Sequence, residues 1–159
     1  LRPAQQKAIK EIRQSNNNLI IYAPTASGKT EAAMLPLISE LLDKDHKENA
    51  YIIYISPLKA LINDQLIRME SICKDNDICT VPWHGDVPIY VKNRLDNNNQ
   101  AILLITPESL EAMLINNPNK ARFIFKNSIS IVLDEFHSFL GNDRGDQLRS
   151  LLNLSLIHI

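Results

Sequence analysis

Short apolar runs rich in Ile and Val alternate along this chain with longer segments in which apolar residues recur every three or four positions. The strong runs lie at residues 51–55 (YIIYI), 101–105 (AILLI), 129–133 (ISIVL) and 19–22 (LIIY), and a weaker one lies at 78–82 (ICTVP). They are nearly continuous rather than alternating, which predicts strands covered on both faces. Helical spacing covers residues 3–14, 29–43, 58–74, 88–95 and 107–116. Strand alternating with helix predicts βαβ units, hence an α/β fold whose mainly parallel sheet carries helices on both faces. Asn clusters at 16–18 and 97–99 read as turns. No internal repeat or linker interrupts the pattern.

Composition narrows the function classes. The chain has 159 residues, 45% of them apolar, which suits one domain with a sizeable core. Its formal net charge is −1, so any grip on a phosphate backbone must come from local groups rather than bulk charge. Two cysteines, Cys73 and Cys79, are too few for a disulfide scaffold and read as buried free thiols. No cluster of Cys and His supports zinc. No apolar run approaches a membrane span. No apolar leader follows Leu1 to Ile9, so a cytoplasmic location is expected.

The chemistry begins where the first run meets a predicted helix. Ala23-Pro24-Thr25-Ala26-Ser27-Gly28-Lys29-Thr30 occupies the place of a phosphate-binding loop, with Ala23 at the usual first glycine. Successive backbone N–H groups in such a loop curl round a β-phosphate, Gly28 permits close approach, and the helix start adds partial positive charge. Lys29 is then expected to reach the β- and γ-phosphates of ATP, and the Thr30 hydroxyl to ligate Mg²⁺. Just past the run at 129–133 come Asp134 and Glu135. In a parallel sheet, ligands bind at the carboxyl ends of strands. Asp134 is expected in the Mg²⁺ shell, and Glu135 beside the attacking water. An acidic pair after a strand is often a solvated cap, but its pairing with a phosphate loop makes the catalytic reading the stronger. On spacing alone, His137 reads as a capping or core histidine.

Taken together, these segments resemble the DExH subset of superfamily-2 helicases, and most of all the Lhr (large helicase-related) group. The resemblance runs from Arg2 to about Asn153. Arg2-Pro3-Ala4-Gln5-Gln6 is similar to the family's Q motif, which implies that Gln5, or Gln6, reads adenine. Residues 23–30 resemble motif I. Ser56-Pro57-Leu58-Lys59-Ala60-Leu61, with Asp64-Gln65, resembles motif Ia, and implies that Ser56, Pro57 and Lys59 meet a nucleic-acid backbone. Trp83-His84-Gly85-Asp86 resembles the glycine-containing segment that comes next in the family, adding Gly85. Thr106-Pro107-Glu108-Ser109-Leu110 resembles motif Ib, whose Thr106, Pro107 and helix start would hold a phosphate. Asp134-Glu135-Phe136-His137 resembles motif II, whose His137 would couple the ATP site to motif III. Residues 141–148, with Arg144 and Gly145, resemble the stretch after motif II in Lhr-like proteins. Trp83 could stack on a base, yet a lone Trp is more often core, and core is expected here.

The resemblance implies a RecA-like P-loop domain over residues 1–153, the ATP-binding motor half of a helicase or translocase acting on a single strand of DNA or RNA. Residues 154–159 (LSLIHI) resemble a translated sequencing-adapter end and are expected to be a non-native tail. Motif III and the second RecA-like domain, which would supply an arginine finger, are expected to be missing. The isolated chain should therefore bind ATP without efficient turnover. Motors of restriction or CRISPR-associated helicase-nucleases share motifs I, Ia and II and remain an alternative, as does a nucleotide-binding module without turnover. A transporter ATPase is disfavoured, because its signature between the two nucleotide motifs does not occur.

Overall fold

The run at 51–55 becomes β1 (Ala50–Ile55), and all six of its residues are buried. A strand so hidden can satisfy its backbone only by pairing on both sides. In the computed structural model, which describes residues 3–14, 18–24, 27–42 and 49–157, it does so. β1 lies between β3 (Gln100–Ile105) and β4 (Ser128–Leu133), and β2 (Cys79–Trp83) flanks β3, giving the order β2-β3-β1-β4. Every pairing is parallel. Pro82, which has no N–H to donate, sits in β2 at the edge of the sheet, where the loss is tolerated.

The register sets where the chain leaves the sheet. Trp83 pairs with Ile105, Ile105 with Ile55, and Ile55 with Leu133. These four residues end their strands in one row, so the next residues, His84, Thr106, Ser56 and Asp134, emerge along one edge. Two of them extend the ladder by a step: Ser56 N–H donates to Ile105 O at 3.1 Å, and Asp134 N–H to Ile55 O at 2.9 Å.

Alternate side chains supply the two faces. Tyr51, Ile53, Ile55, Val81 and Leu103 belong to one hydrophobic cluster. It is closed by α5 (Pro107–Asn116), α6 (Pro118–Lys126) and α7 (Asp143–Ile157), through Leu110, Met113, Ile124, Phe125 and Leu148. Helix α3 (Lys59–Cys73) packs along β2 and β3, and its buried Ile62 and Met69 lie outside that cluster, so it covers the opposite face. Cys73 and Cys79 are buried free thiols. No helix among the described residues is long and apolar enough to cross a membrane.

The chain divides into two compact units, Leu1–His46 and Lys47–Ile159, and the sheet belongs to the second. In the first, α1 (Pro3–Gln14) packs on α2 (Lys29–Leu41). The strand expected at 19–22 is not formed. Residues 18–24 are irregular, and Ile20 and Tyr22 are 80% and 97% exposed. A strand takes its hydrogen bonds from a neighbour, and no described strand pairs with this one. The helix expected over 88–95 divides into α4 (Ile89–Lys92) and a 3₁₀ turn (Asn93–Asn97). No long apolar period signals helices α6 and α7, although Pro118 suits the first turn of α6.

Helix α7 starts against a 3₁₀ turn at Phe136–Phe139, and Gly145 makes this possible: a Cβ there would collide with the Phe139 carbonyl. Gly141 differs, with φ of +69° but open space around its missing side chain. Gly141→Ala is expected to cost about 1–2 kcal/mol of left-handed strain, and Gly145→Ala distinctly more, because backbone must move. Urea midpoints of the two variants check this; equal midpoints would contradict it.

Candidate functional site

The phosphate loop lies within the first unit. Gly28 has φ of +84° and precedes α2, whose first turn has no side-chain cap. Its carbonyl accepts the Ala32 N–H at 2.9 Å, so the N–H groups before Ala32 are the ones an anion could use. The loop closes through Ser27 N–H to Pro24 O at 3.3 Å. The Ser27 hydroxyl is buried without a partner among the described residues. Lys29 folds back, its Nζ donating to Ala23 O at 2.8 Å. That ammonium spans the loop and is held by a carbonyl that a phosphate oxygen can replace. Gln5 also meets the loop: its Nε2 donates to Gly28 O at 3.4 Å, and a side chain on Gly28 would approach Gln5 Nε2 to 2.5 Å. Helix-start N–H groups, a hydroxyl with no partner among the described residues, a long-stemmed ammonium and a glycine fit a phosphate chain. Thr25 and Ala26 lie outside the described residues.

The acidic segment lies in the second unit, at the row of strand ends. Asp134 continues the β4 ladder, and Glu135 then turns the chain with φ of 48° and ψ of 43°. It is the one non-glycine residue with positive φ among those described. Such a conformation costs on the order of 1–3 kcal/mol and recurs at functional positions. Glu135 O accepts the Ser138 N–H at 2.7 Å. Its carboxylate lies 3.3 Å from His137 Nδ1, and the His137 side chain is 75% exposed. His137 is therefore not a core residue, because the 3₁₀ turn directs it to solvent.

Beside this segment the strand ends form an open groove of about 400 Å³. Pro57 and Lys59 follow β1, Gly85 follows β2, and Thr106 follows β3; all four line it. Ser56 and Pro107 are buried next to these lining residues, and the Ser56 hydroxyl has no partner among the described residues. Thr106 caps α5, its Oγ1 accepting the Ser109 N–H at 3.3 Å, with Pro107 in the first turn. Lys59 Nζ donates to both oxygens of Asp86 at 2.9 and 3.0 Å. That bond holds the Asp86 carboxyl below its usual range. Trp83 is core, 8% exposed, with the Lys92 and Lys120 ammonium groups 5.6 and 5.0 Å from its ring centre.

Five groove residues, Leu58 and Ala112 among them, are not evident as contacts from the sequence. Arg144, Glu108 and Ser109 are the other three. Each of these three stands inside a segment noted for its resemblance, but nothing in their spacing says that α7 returns to the start of α5.

The model of the DEAD/DEAH box helicase family matches residues 2–156. The chain is similar to the ATP-dependent helicase Lhr-Core of Methanothermobacter thermautotrophicus, at 35% identity over 91% of this chain and 18% of that protein. It is also similar to the Lhr helicase/probable uracil glycosylase of Mycolicibacterium smegmatis, at 32% identity over 92% of this chain and 10% of that protein. The chain thus spans less than a fifth of either relative. In fold it is similar to the DUF1998 helicase MrfA, solved bound to DNA and AMPPNP, with a TM-score of 0.82, 23% identity, and 99% of this chain and 22% of that chain covered.

His84 carries a pH dependence. It is 4% exposed, its Nε2 lies 3.2 Å from Asn63 Oδ1, and its Nδ1 has no partner among the described residues. Burial pushes its pKa below the ordinary 6.5; the nearby Asp86 opposes this and Lys59 and Lys92 add to it. The unfolded chain then binds the proton more readily, so stability is full above pH 6.5 and falls as pH drops below it. Asp86 works in a lower window, its contribution present above its ordinary 3.8 and lost as pH falls below that towards its lowered folded value. Urea midpoints between pH 7.5 and 5 should fall for the wild type and stay flatter for His84→Gln; parallel curves would contradict the assignment.

Proposed function

Since the chain belongs to the DEAD/DEAH box helicase family, we propose that it is the first RecA-like domain of an Lhr-type motor, coupling ATP hydrolysis to movement along a single strand of DNA or RNA. The observation that carries this reading is the groove. Pro57, Lys59, Gly85 and Thr106 come from the ends of three different strands and line one surface. Helix starts and a lysine there suit phosphates, which position a strand without reading its bases.

In this reading Lys29 leaves the Ala23 carbonyl and turns to the β- and γ-phosphates. The backbone of Pro24, Thr25, Ala26, Ser27 and Gly28 wraps the phosphate chain, and Gln5 reads the adenine edge. Thr30 and Asp134 are the residues that would hold Mg²⁺, and the ion would supply neutralisation of charge on the transferred phosphoryl group. Glu135, held in its left-handed turn, orients the attacking water. His137 links Glu135 to the next part of the motor. Ser56 and Pro107 shape the groove from beneath, and Lys59 exchanges Asp86 for a phosphate.

The isolated chain is expected to bind ATP with slow turnover, since an arginine finger from a partner domain contributes on the order of 10³–10⁵ in rate in other NTPases. Binding of a fluorescent ATP analogue and phosphate release from ATP, each with and without a single-stranded oligonucleotide, test the proposal. Lys29→Ala should lose ATP binding; Glu135→Gln should keep binding and lose residual turnover. Lys29→Ala binding ATP like the wild type would remove the loop from the site. Turnover by the isolated chain at the rate of an intact motor would show that no second domain is needed.

A further inference from the structure

None of the proposed roles uses Arg144, yet this side chain ties two elements of the groove together. Its Nη2 donates to Pro57 O at 2.8 Å and to Glu108 Oε1 at 2.6 Å, and its Nε donates to the same carboxylate at 3.1 Å. One planar guanidinium at the start of α7 therefore joins the turn after β1 to the first turn of α5. These are two walls of the groove. Three residues further along both helices, Gln147 Nε2 donates to Glu111 Oε2 at 2.7 Å, so α7 and α5 are held by two ties in parallel. Next to Arg144, Gly145 fits beneath the Phe139 carbonyl, which fixes the start of α7 to the turn after Glu135.

We propose that Arg144 is a positioning residue: it sets the separation of the two groove walls and holds them in register with the acidic segment, without itself contacting a phosphate. The inference rests on reading the groove as a nucleic-acid surface. Lys59 offers the contrast. Its ammonium meets one exposed carboxylate, Asp86, and sits on a flexible stem, so it can exchange that partner for a phosphate. Arg144 cannot do so without releasing a backbone carbonyl and unfastening both walls. A lysine at 144 is a single point donor and cannot reproduce the fork.

The test is binding of a fluorescein-labelled single-stranded oligonucleotide by the 159-residue chain, measured by anisotropy over a range of KCl concentrations. Removing one phosphate contact lowers the slope of log K against log salt by about 0.7 for a single strand. Lys59→Ala should show that fall. Arg144→Gln should weaken binding about tenfold, the scale of one charge-assisted hydrogen bond, at every salt concentration with the slope unchanged. Arg144→Lys should not rescue it. Glu108→Ala should weaken binding as well, although it removes a negative charge from the groove. A slope that falls in Arg144→Gln as it does in Lys59→Ala, or tighter binding in Glu108→Ala, would make Arg144 a direct phosphate ligand and overturn the proposal.

Amide hydrogen exchange gives a reading independent of binding. Arg144→Gln should speed exchange at Ile62, Ser109 and Leu110, the first hydrogen-bonded amides of α3 and α5, and leave β1 and β3 protected; unchanged exchange there refutes the positioning role. Should the wild type bind no oligonucleotide, the groove's function falls, and exchange alone still decides whether Arg144 holds the walls.

Discussion

Parallel pairing of all four strands organises one edge of the sheet. Because β2, β3, β1 and β4 all run the same way, their carboxyl ends share an edge, and the register aligns those ends to the residue. The groove and the acidic turn need no long loops to assemble them. Ser56, His84, Thr106 and Asp134 each stand one position past a paired row. What the core contributes to function is this alignment: shifting one strand by a residue would move its outgoing turn and exchange the side chains on its two faces.

Charge on the groove is balanced inside the protein. Lys59 faces Asp86, and Arg144 faces Glu108, so a surface suited to phosphates carries little net charge. This agrees with an overall charge of −1 and with binding that depends on local geometry. Surface ion pairs contribute little to stability. The two pairs are better understood by what they hold. Asp86 keeps a long-stemmed lysine near Gly85, whereas Glu108 fastens an arginine that also grips a backbone carbonyl.

Much of this is legible in the sequence. The continuous apolar runs at 51–55 and 101–105 become fully buried strands, whereas 129–133, interrupted by Ser130, becomes β4, which is only half-buried rather than covered on both faces. The loop at 23–30 is recognisable because glycine, lysine and threonine occur together before a helix. The run at 19–22 has the same composition but no described partner, and composition cannot supply one. Helix α6 is short, so its buried Ala121, Ile124 and Phe125, though at helical spacing, cover only one repeat of the pattern. Arg144 is visible only as part of a familiar stretch; its partners Pro57 and Glu108 lie 87 and 36 residues away, a distance no local pattern spans. The left-handed Glu135 is equally silent in sequence, since glutamate does not favour that conformation.

On the reading proposed here, three strand ends form one nucleic-acid surface. It is tested most directly by photocross-linking a single-stranded oligonucleotide containing 4-thiothymidine to the chain and mapping the adducts by mass spectrometry. Adducts are expected within residues 56–60, 84–87 and 106–109 together, reduced in all three by Lys59→Ala. Adducts confined to one of these segments, or falling mainly elsewhere on the chain, would contradict it.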